Sequence, residues 1–308
     1  MGSLSVSPQP HVPTSGVWCP AVTFFHHDTD TLDLDSQSKY FTYLSTTGLA
    51  GLVILGTNSE AFLLTREERS QLISTARTAV GPDFPLMAGV GAHSTKQTLQ
   101  LAKDAADAGA NYLLRFFSEV AAKSPLPVVV YNFPGVCNGV DMDSETITAI
   151  ARESAASGRS NVVGVKLTCG SVGKITRLAA SFAPEEFATF GGQSDFLIGG
   201  LAAGSAGCIA AFANVFPKVA ARIYALYQKG LIEEAVALQR KAALAESAIK
   251  SGIASTKHAV ACYSAKLAGI PNAAGNLAPR HPYEEVGEGA KVVIREVMAE
   301  VSEIEKSL

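Results

Sequence analysis

Three features of this 308-residue sequence predict an α/β fold closed into a (β/α)8 barrel, with a C-terminal helical extension. Apolar runs of strand length recur eight times, segments with helix-start and helix-stop signals separate them, and the pattern turns to helices alone after Pro217. Near-continuous apolar strands alternating with amphipathic helices imply a parallel sheet covered on both faces, and eight such units are the number that closes a barrel. An open doubly wound sheet is the alternative. Against it, the turn Gly56-Thr-Asn-Ser-Glu60 lacks the glycine spacing of a dinucleotide fingerprint, and no acidic partner follows at the required distance.

Taken in order, residues 1–15 are rich in Ser, Pro and Val and carry neither Lys or Arg nor a long apolar stretch, so a disordered tail is expected rather than a signal or transit peptide. The barrel is expected over 16–217, its strands on the runs 17–25, 51–56, 85–91, 111–117, 127–133, 162–167, 187–192 and 207–214. Thr65-Arg-Glu-Glu68 reads as a capping box that opens a helix stopped by Gly81, and Ser94-Thr-Lys-Gln97 opens another that Gly109 closes. The fourth unit is short: about twelve residues separate its strand from the next, close to the minimum for a whole crossover with its helix. Either residues 115–123 form a stunted helix or a segment is missing, and apolar strand surface is expected to lose its cover. The charge-free stretch 196–217 is filled with Gly, Ala and Ser and interrupted by Asn214, which reads as a buried helix and a strand rather than a membrane span. Residues 218–308 are expected to form three or four helices packed on the barrel, with a charged amphipathic end offering a surface for self-association.

A composition that is 47% hydrophobic supplies ample core, and a net charge of −3 with dispersed basic residues forms no stripe for nucleic acid and no polybasic membrane anchor. Small neutral or mildly anionic ligands are the expected partners. The five cysteines make no CxxC pair, which points to a reducing, cytoplasmic setting; the histidines cluster only at His26-His27, so no metal and no cofactor are expected.

In such a barrel chemistry sits at the C-terminal ends of the strands. Lys166 lies in Asn161-Val-Val-Gly-Val-Lys-Leu-Thr168, with no charge in the five residues before it. A buried ammonium is costly to desolvate, and a lysine that sheds its proton is a nucleophile; the other reading is that the strand ends at Leu167 and the side chain reaches solvent. Tyr131, in Tyr131-Asn-Phe-Pro134, places a phenol at the barrel mouth, either as a proton shuttle or as a packing residue. The turn with Thr57, Asn58 and Ser59 presents N–H groups and two hydroxyls, a carboxylate cradle or an ordinary helix cap. Thr168 closes the sixth run, and Gly191-Gly192-Gln193-Ser194-Asp195 follows the seventh. A lysine, a tyrosine, a threonine and an N–H-rich turn at the strand ends of one barrel make a coherent Schiff-base constellation.

These words resemble the pyruvate-dependent class I aldolases that include dihydrodipicolinate synthase and N-acetylneuraminate lyase. Gly56-Thr-Asn-Ser-Glu60 matches the family turn, Tyr131-Asn-Phe-Pro134 its YNxP word and Gly164-Val-Lys166 its GxK word, in the same order from Gly16 to about Phe216. Weaker matches are Gly191-Gly192 and the run 207–214. The resemblance implies that Lys166 forms an imine with the keto carbon of a pyruvate unit, and that Tyr131 moves a proton through the Thr57 hydroxyl. It implies that Asn58 and the N–H groups from Thr57 to Ser59 hold the carboxylate, with Gly192 and Ile209 on the pyruvate side. Where dihydrodipicolinate synthases place an arginine, two residues after YNxP, this chain has Val136, which argues against condensation with aspartate semialdehyde. Thr168 is similar to the hydroxyl-binding threonine of sugar-acid lyases, with Ser194 and Asp195 placed to meet further hydroxyls, and the Asn58 turn is similar to that of 4-hydroxy-2-oxoglutarate aldolases. A homo-oligomer, dimer or tetramer, acting on a small oxo acid is implied. The family's loop in the fourth unit, which brings a second tyrosine across a subunit interface, has no counterpart here, and a catalytically inactive barrel with a binding role is the competing expectation.

Overall fold

A computed structural model describes residues 12–115, 118–158 and 160–308. The barrel strands are β1 Gly16–Pro20, β2 Gly51–Ile54, β3 Leu86–Gly89, β4 Tyr112–Arg115, β5 Val128–Asn132, β6 Val162–Leu167, β7 Ala188–Gly191 and β8 Gly207–Ile209. All pair in parallel, and the sheet closes because β1 bonds to both β2 and β8. The crossover helices are α1 Leu34–Ser45, α2 Arg66–Val80, α3 Thr95–Asp107, α4 Ser118–Lys123, α5 Ser144–Ala156, α6 Val172–Ser181 and α7 Leu197–Ala202. Each of the eight apolar runs contains one strand, so the closed barrel follows the expected pattern. A short antiparallel pair, Phe25–His26 with Thr31–Leu32, continues the first run beyond β1.

The caps read from the sequence form. The Thr65 hydroxyl accepts the Glu68 N–H while the Glu68 carboxylate accepts the Thr65 N–H, and Gly81 ends α2 at φ 78°. Ser94 caps α3. The barrel seam is held by one carboxamide: Asn214 accepts the Val22 N–H and donates to the Pro20 carbonyl, and its own carbonyl accepts the Tyr40 hydroxyl of α1.

Side chains alternate across each strand, which separates two apolar layers. Trp18, Val53, Met87, Tyr112, Leu114, Val129, Val163, Phe190 and Ile209 fill the barrel interior, and a larger set packs between strands and helices. Residues 1–11 of the expected tail lie outside the described residues. Residues 12–15 lie against the N-terminal end of the barrel, where Val12 packs on the interior cluster and the Thr14 carbonyl accepts the Trp18 indole N–H.

The fourth unit is truncated, with six residues in α4. The expected exposure of apolar strand surface does not occur, however. Leu113, Val128 and Val130, which face the helices, are all buried, because even this short helix packs Ala121 against them, and the Asn161 carboxamide ties the Ala121 and Leu126 carbonyls to the start of β6.

After β8 the chain forms α8 Pro217–Gln228, which packs on β1 in the place of the barrel's eighth helix. It continues with α9 Ile232–Ser247, α10 Ile253–Cys262, α11 Ser264–Leu267, α12 Ala273–Asn276 and α13 Glu288–Ser307. Six helices, not three or four, follow the barrel among the described residues: Gly269, Pro271, Pro279 and Pro282 break the middle of this stretch into four-residue pieces. No helix among the described residues is long and apolar enough to cross a membrane.

Candidate active site

The inward aim of Lys166 depends on a slip in the register between β5 and β6. Val128 lies opposite Val162, but Val129 lies opposite Gly164 and Tyr131 opposite Lys166, so β6 carries one extra residue at Val163. An inserted residue exchanges the two faces of a strand from that point on. Val163 points into the barrel, whereas Val162, Val165 and Leu167 pack outward against the helices. Strict alternation from Val163 would have sent Lys166 outward too; the bulge returns it to the interior. Gly164 makes the bulge possible, since a Cβ there would stand 2.4 Å from the Ala188 carbonyl oxygen of β7.

Lys166 is 4% exposed, and its Nζ sits 4.4 Å from the centroid of the Tyr131 ring. Among the described residues no carboxylate pairs with that nitrogen and no acceptor bonds to it. The tyrosine ring in turn leans on Phe133 at 5.7 Å. The neighbouring Asn132 turns away and fastens the following loop through Asp141 and the Met142 N–H. Lys166 and Tyr131 open into a cleft of about 640 Å³, which Thr57, Asn58, Thr168, Gly192 and Ala211 also line.

Thr57 and Asn58 begin a single 3-10 turn, Thr57–Ser59, across the barrel mouth from β6. Among the described residues neither of their backbone N–H groups meets a backbone acceptor. Left-handed residues flank the turn, Leu55 at φ 62° and Glu60 at φ 55°, a conformation that costs energy in side chains larger than glycine. Packing and hydrogen bonds hold it there. Gly89 admits the Leu55 carbonyl so closely that a Cβ would stand 2.0 Å from it, and the Glu60 carboxylate is anchored from outside the barrel by Lys257 and by the Arg280 N–H.

The geometry divides the residues named from sequence. Thr57, Asn58, Tyr131, Lys166, Thr168 and Gly192 converge on the cleft; Ser59, Ser194 and Ile209 do not line it. Ser59 is 2% exposed, its hydroxyl donates to the Ala21 carbonyl and accepts the Leu55 N–H, and its own N–H is bound to Gly56, so it braces the turn and has no donor left for a ligand. Ser194 is committed to Glu246, which takes both its hydroxyl at 2.7 Å and its N–H at 3.1 Å. Ile209 sits in the interior layer, and Ala211, two residues on, lines the cleft instead. The Thr168 hydroxyl oxygen is buried without a hydrogen-bond partner among the described residues, and a Cβ on Gly192 would stand 2.3 Å from it.

Several lining residues carry no sequence signal. Glu246 and Lys250 come from α9 and the turn after it, Thr256 from α10, and Phe62 and Tyr283 meet edge to face at the rim, 5.8 Å apart. Burial pushes the Glu246 carboxyl up, against the Ser194 hydrogen bonds that pull it down. Burial likewise drives the Cys208 thiol up. No three His, Cys, Asp or Glu side chains converge as a metal site among the described residues.

A closed parallel barrel that keeps an unpaired amine buried beside a phenol belongs to the class of proteins that can hold a carbonyl compound as an imine. The chain belongs to the dihydrodipicolinate synthetase family, whose pattern matches residues 13–298. It is 62% identical to a Coccidioides immitis protein provisionally named as a mitochondrial 4-hydroxy-2-oxoglutarate aldolase, over 97% of this chain and 99% of that one. That alignment runs to 316 positions, more than the 308 residues here, so the relative carries residues this chain lacks. An L-threo-3-deoxy-hexylosonate aldolase of Hypocrea jecorina is 34% identical over 95% of this chain and 98% of its own length. A crystal structure from Coccidioides immitis, provisionally placed in the dihydrodipicolinate synthase family, superposes with a TM-score of 0.90 at 60% identity, covering 97% of this chain and 99% of that one. The protein is a class I aldolase, a carbon–carbon lyase.

Proposed function

We propose that Lys166, Tyr131 and Thr57 carry the aldolase reaction, and that the substrate is a 2-keto-3-deoxy sugar acid or 4-hydroxy-2-oxoglutarate. The Lys166 amine adds to the keto carbon and expels water, giving an iminium that can accept an electron pair. Tyr131, relayed through the Thr57 hydroxyl, takes the proton from the C4 hydroxyl as the C3–C4 bond breaks. The aldehyde leaves, which is glyoxylate for the oxoglutarate, and the bonding pair passes into the enamine. Protonation at C3 and hydrolysis then release pyruvate and restore the amine. The N–H groups of Thr57 and Asn58 face the substrate carboxylate, Gly192 leaves room for the pyruvate methyl side, and the Thr168 hydroxyl meets a substrate hydroxyl.

One observation carries this reading: a buried amine with no ionic partner among the described residues stands 4.4 Å from a tyrosine ring in a cleft. The two substrates are supported by the names of the relatives and by the orphaned Thr168 hydroxyl. Condensation with a semialdehyde carboxylate has less support, since Val136 stands half exposed where a clamping arginine would be needed. Cytoplasmic action and self-association, with Val292, Val293 and Val297 exposed on α13, belong to the same reading; the Coccidioides immitis relative carries a mitochondrial name, which cell fractionation would test here. The deciding experiment is borohydride reduction in the presence of pyruvate. A mass increase confined to the Lys166 peptide and lost in Lys166→Met is expected. A folded protein that takes no label would overturn the assignment of the imine to Lys166.

A further inference from the structure

We propose that the part of the cleft built by the helical extension reads the hydroxyls of an uncharged polyol tail and rejects a second carboxylate, with Glu246, Gln193 and Lys250 as the specificity-determining residues. The inference rests on the aldolase reading of Lys166 and deepens it by choosing between the two substrates. Among the described residues only three charged side chains line the cleft: Lys166, Glu246 and Lys250. Lys166 is spent on the imine, so a distal carboxylate would have Lys250 alone to meet it. That ammonium is already committed, being ion-paired with Asp195 and donating to Gln193 Oε1 at 3.0 Å.

Recruiting Lys250 to a ligand would strip Asp195 of its counter-ion, and Asp195 Oδ1 is buried with no hydrogen-bond partner among the described residues. The incoming carboxylate would also face Glu246, itself 3% exposed and held by Ser194. Two acidic groups against one paired base leave this region neutral to negative, which penalises a dianion through repulsion and through the broken pair. Hydroxyl groups suffer neither cost. They can donate to Glu246 and Gln193 and accept from Lys250 without disturbing the pair. The extension therefore does more than cover the barrel: α9 reaches over the end of β7 and supplies the far wall of the site, braced by Gln239, which accepts the Ile198 N–H and donates to the Asp195 carbonyl.

The experiment measures pyruvate release from a 2-keto-3-deoxy-hexonate and from 4-hydroxy-2-oxoglutarate, after borohydride trapping with pyruvate on the same protein. With trapping positive, kcat/KM is expected to favour the sugar acid by about 100-fold. The ratio should fall at least about tenfold in Glu246→Gln, through loss on the sugar acid, and in Asp195→Asn, through gain on the dicarboxylate as Lys250 is freed. A ratio of two rates on one preparation is insensitive to the folded fraction. Equal rates, or preference for the dicarboxylate, with trapping intact would overturn this inference and leave the imine chemistry standing. Failure of trapping would remove both.

Discussion

At the scale of single residues, Gly164 controls the site without touching the cleft. A methyl group there meets the Ala188 carbonyl at 2.4 Å and its carbon at 3.3 Å, neither of which can yield without moving β7. Gly164→Ala should cost about 1–3 kcal/mol of stability as an overpacking change, and lower kcat/KM by about 100-fold by displacing Lys166 two residues on. Urea unfolding and steady-state pyruvate release check both numbers; wild-type activity would mean that the bulge does not aim the lysine. The same residue shows what was legible in advance. A lysine closing an apolar run pointed to Lys166, and the strand-end rule to Tyr131, Thr57 and Thr168, all of which line the cleft. The direction of the Lys166 side chain was not legible, because it depends on a pairing slip with a strand some thirty residues upstream. Ser59 and Ser194 read as ligands from their motifs, yet their hydroxyls are taken by Ala21 and Glu246, 38 and 52 residues away. Local sequence cannot say whether a hydroxyl is already satisfied.

At the scale of elements, caps decided how well each helix could be read. Thr65 with Glu68 caps its own helix three residues on and was visible; α8 is capped from the far end of the chain and was not. Glu305 on α13 is 1% exposed and accepts the Lys218 and Val219 N–H groups at 3.0 and 2.8 Å, serving as the N-terminal acceptor that α8 lacks locally. Burial pushes its carboxyl up to about 7 from an ordinary 4.5, more than those two hydrogen bonds pull it down. Between these values the folded chain holds a proton that the unfolded chain has released. Stability from this group is therefore complete below about pH 4.5 and is lost as pH rises toward 7, by about 1.4 kcal/mol per unit. Chemical unfolding measured from pH 5 to pH 8 should show a decline that is flattened in Glu305→Gln; parallel profiles for the two proteins would refute the assignment.

At the scale of the whole molecule, barrel and extension meet through buried charge. Lys257 of α10 and Glu60 of the β2 turn are both 0% exposed and lie 2.6 Å apart, although 197 residues separate them. The ammonium also donates to the Ala278 carbonyl and lies 4.6 Å from the centroid of the Phe25 ring. Burial draws the Lys257 ammonium down while Glu60 holds it up. Around the pair, Arg280 binds Asp30, Leu63 and Glu68, and Asn276 binds Asp33. None of this was legible, since a glutamate at a turn and a lysine in an Ala-rich helix each read as surface residues. The consequence is that the extension is not a detachable cover. Lys257→Met should cost about 3–5 kcal/mol by leaving the Glu60 carboxylate buried and unpaired, and the double variant Glu60→Gln with Lys257→Met should recover much of the loss. The single tryptophan, Trp18, reports the barrel interior, while far-UV circular dichroism reports chiefly the helices. Both signals should follow one transition in urea and shift together in Lys257→Met. An early loss of helix signal with Trp18 unchanged would show that the extension unfolds on its own, and that Glu60 holds the Thr57–Ser59 turn without help from α10.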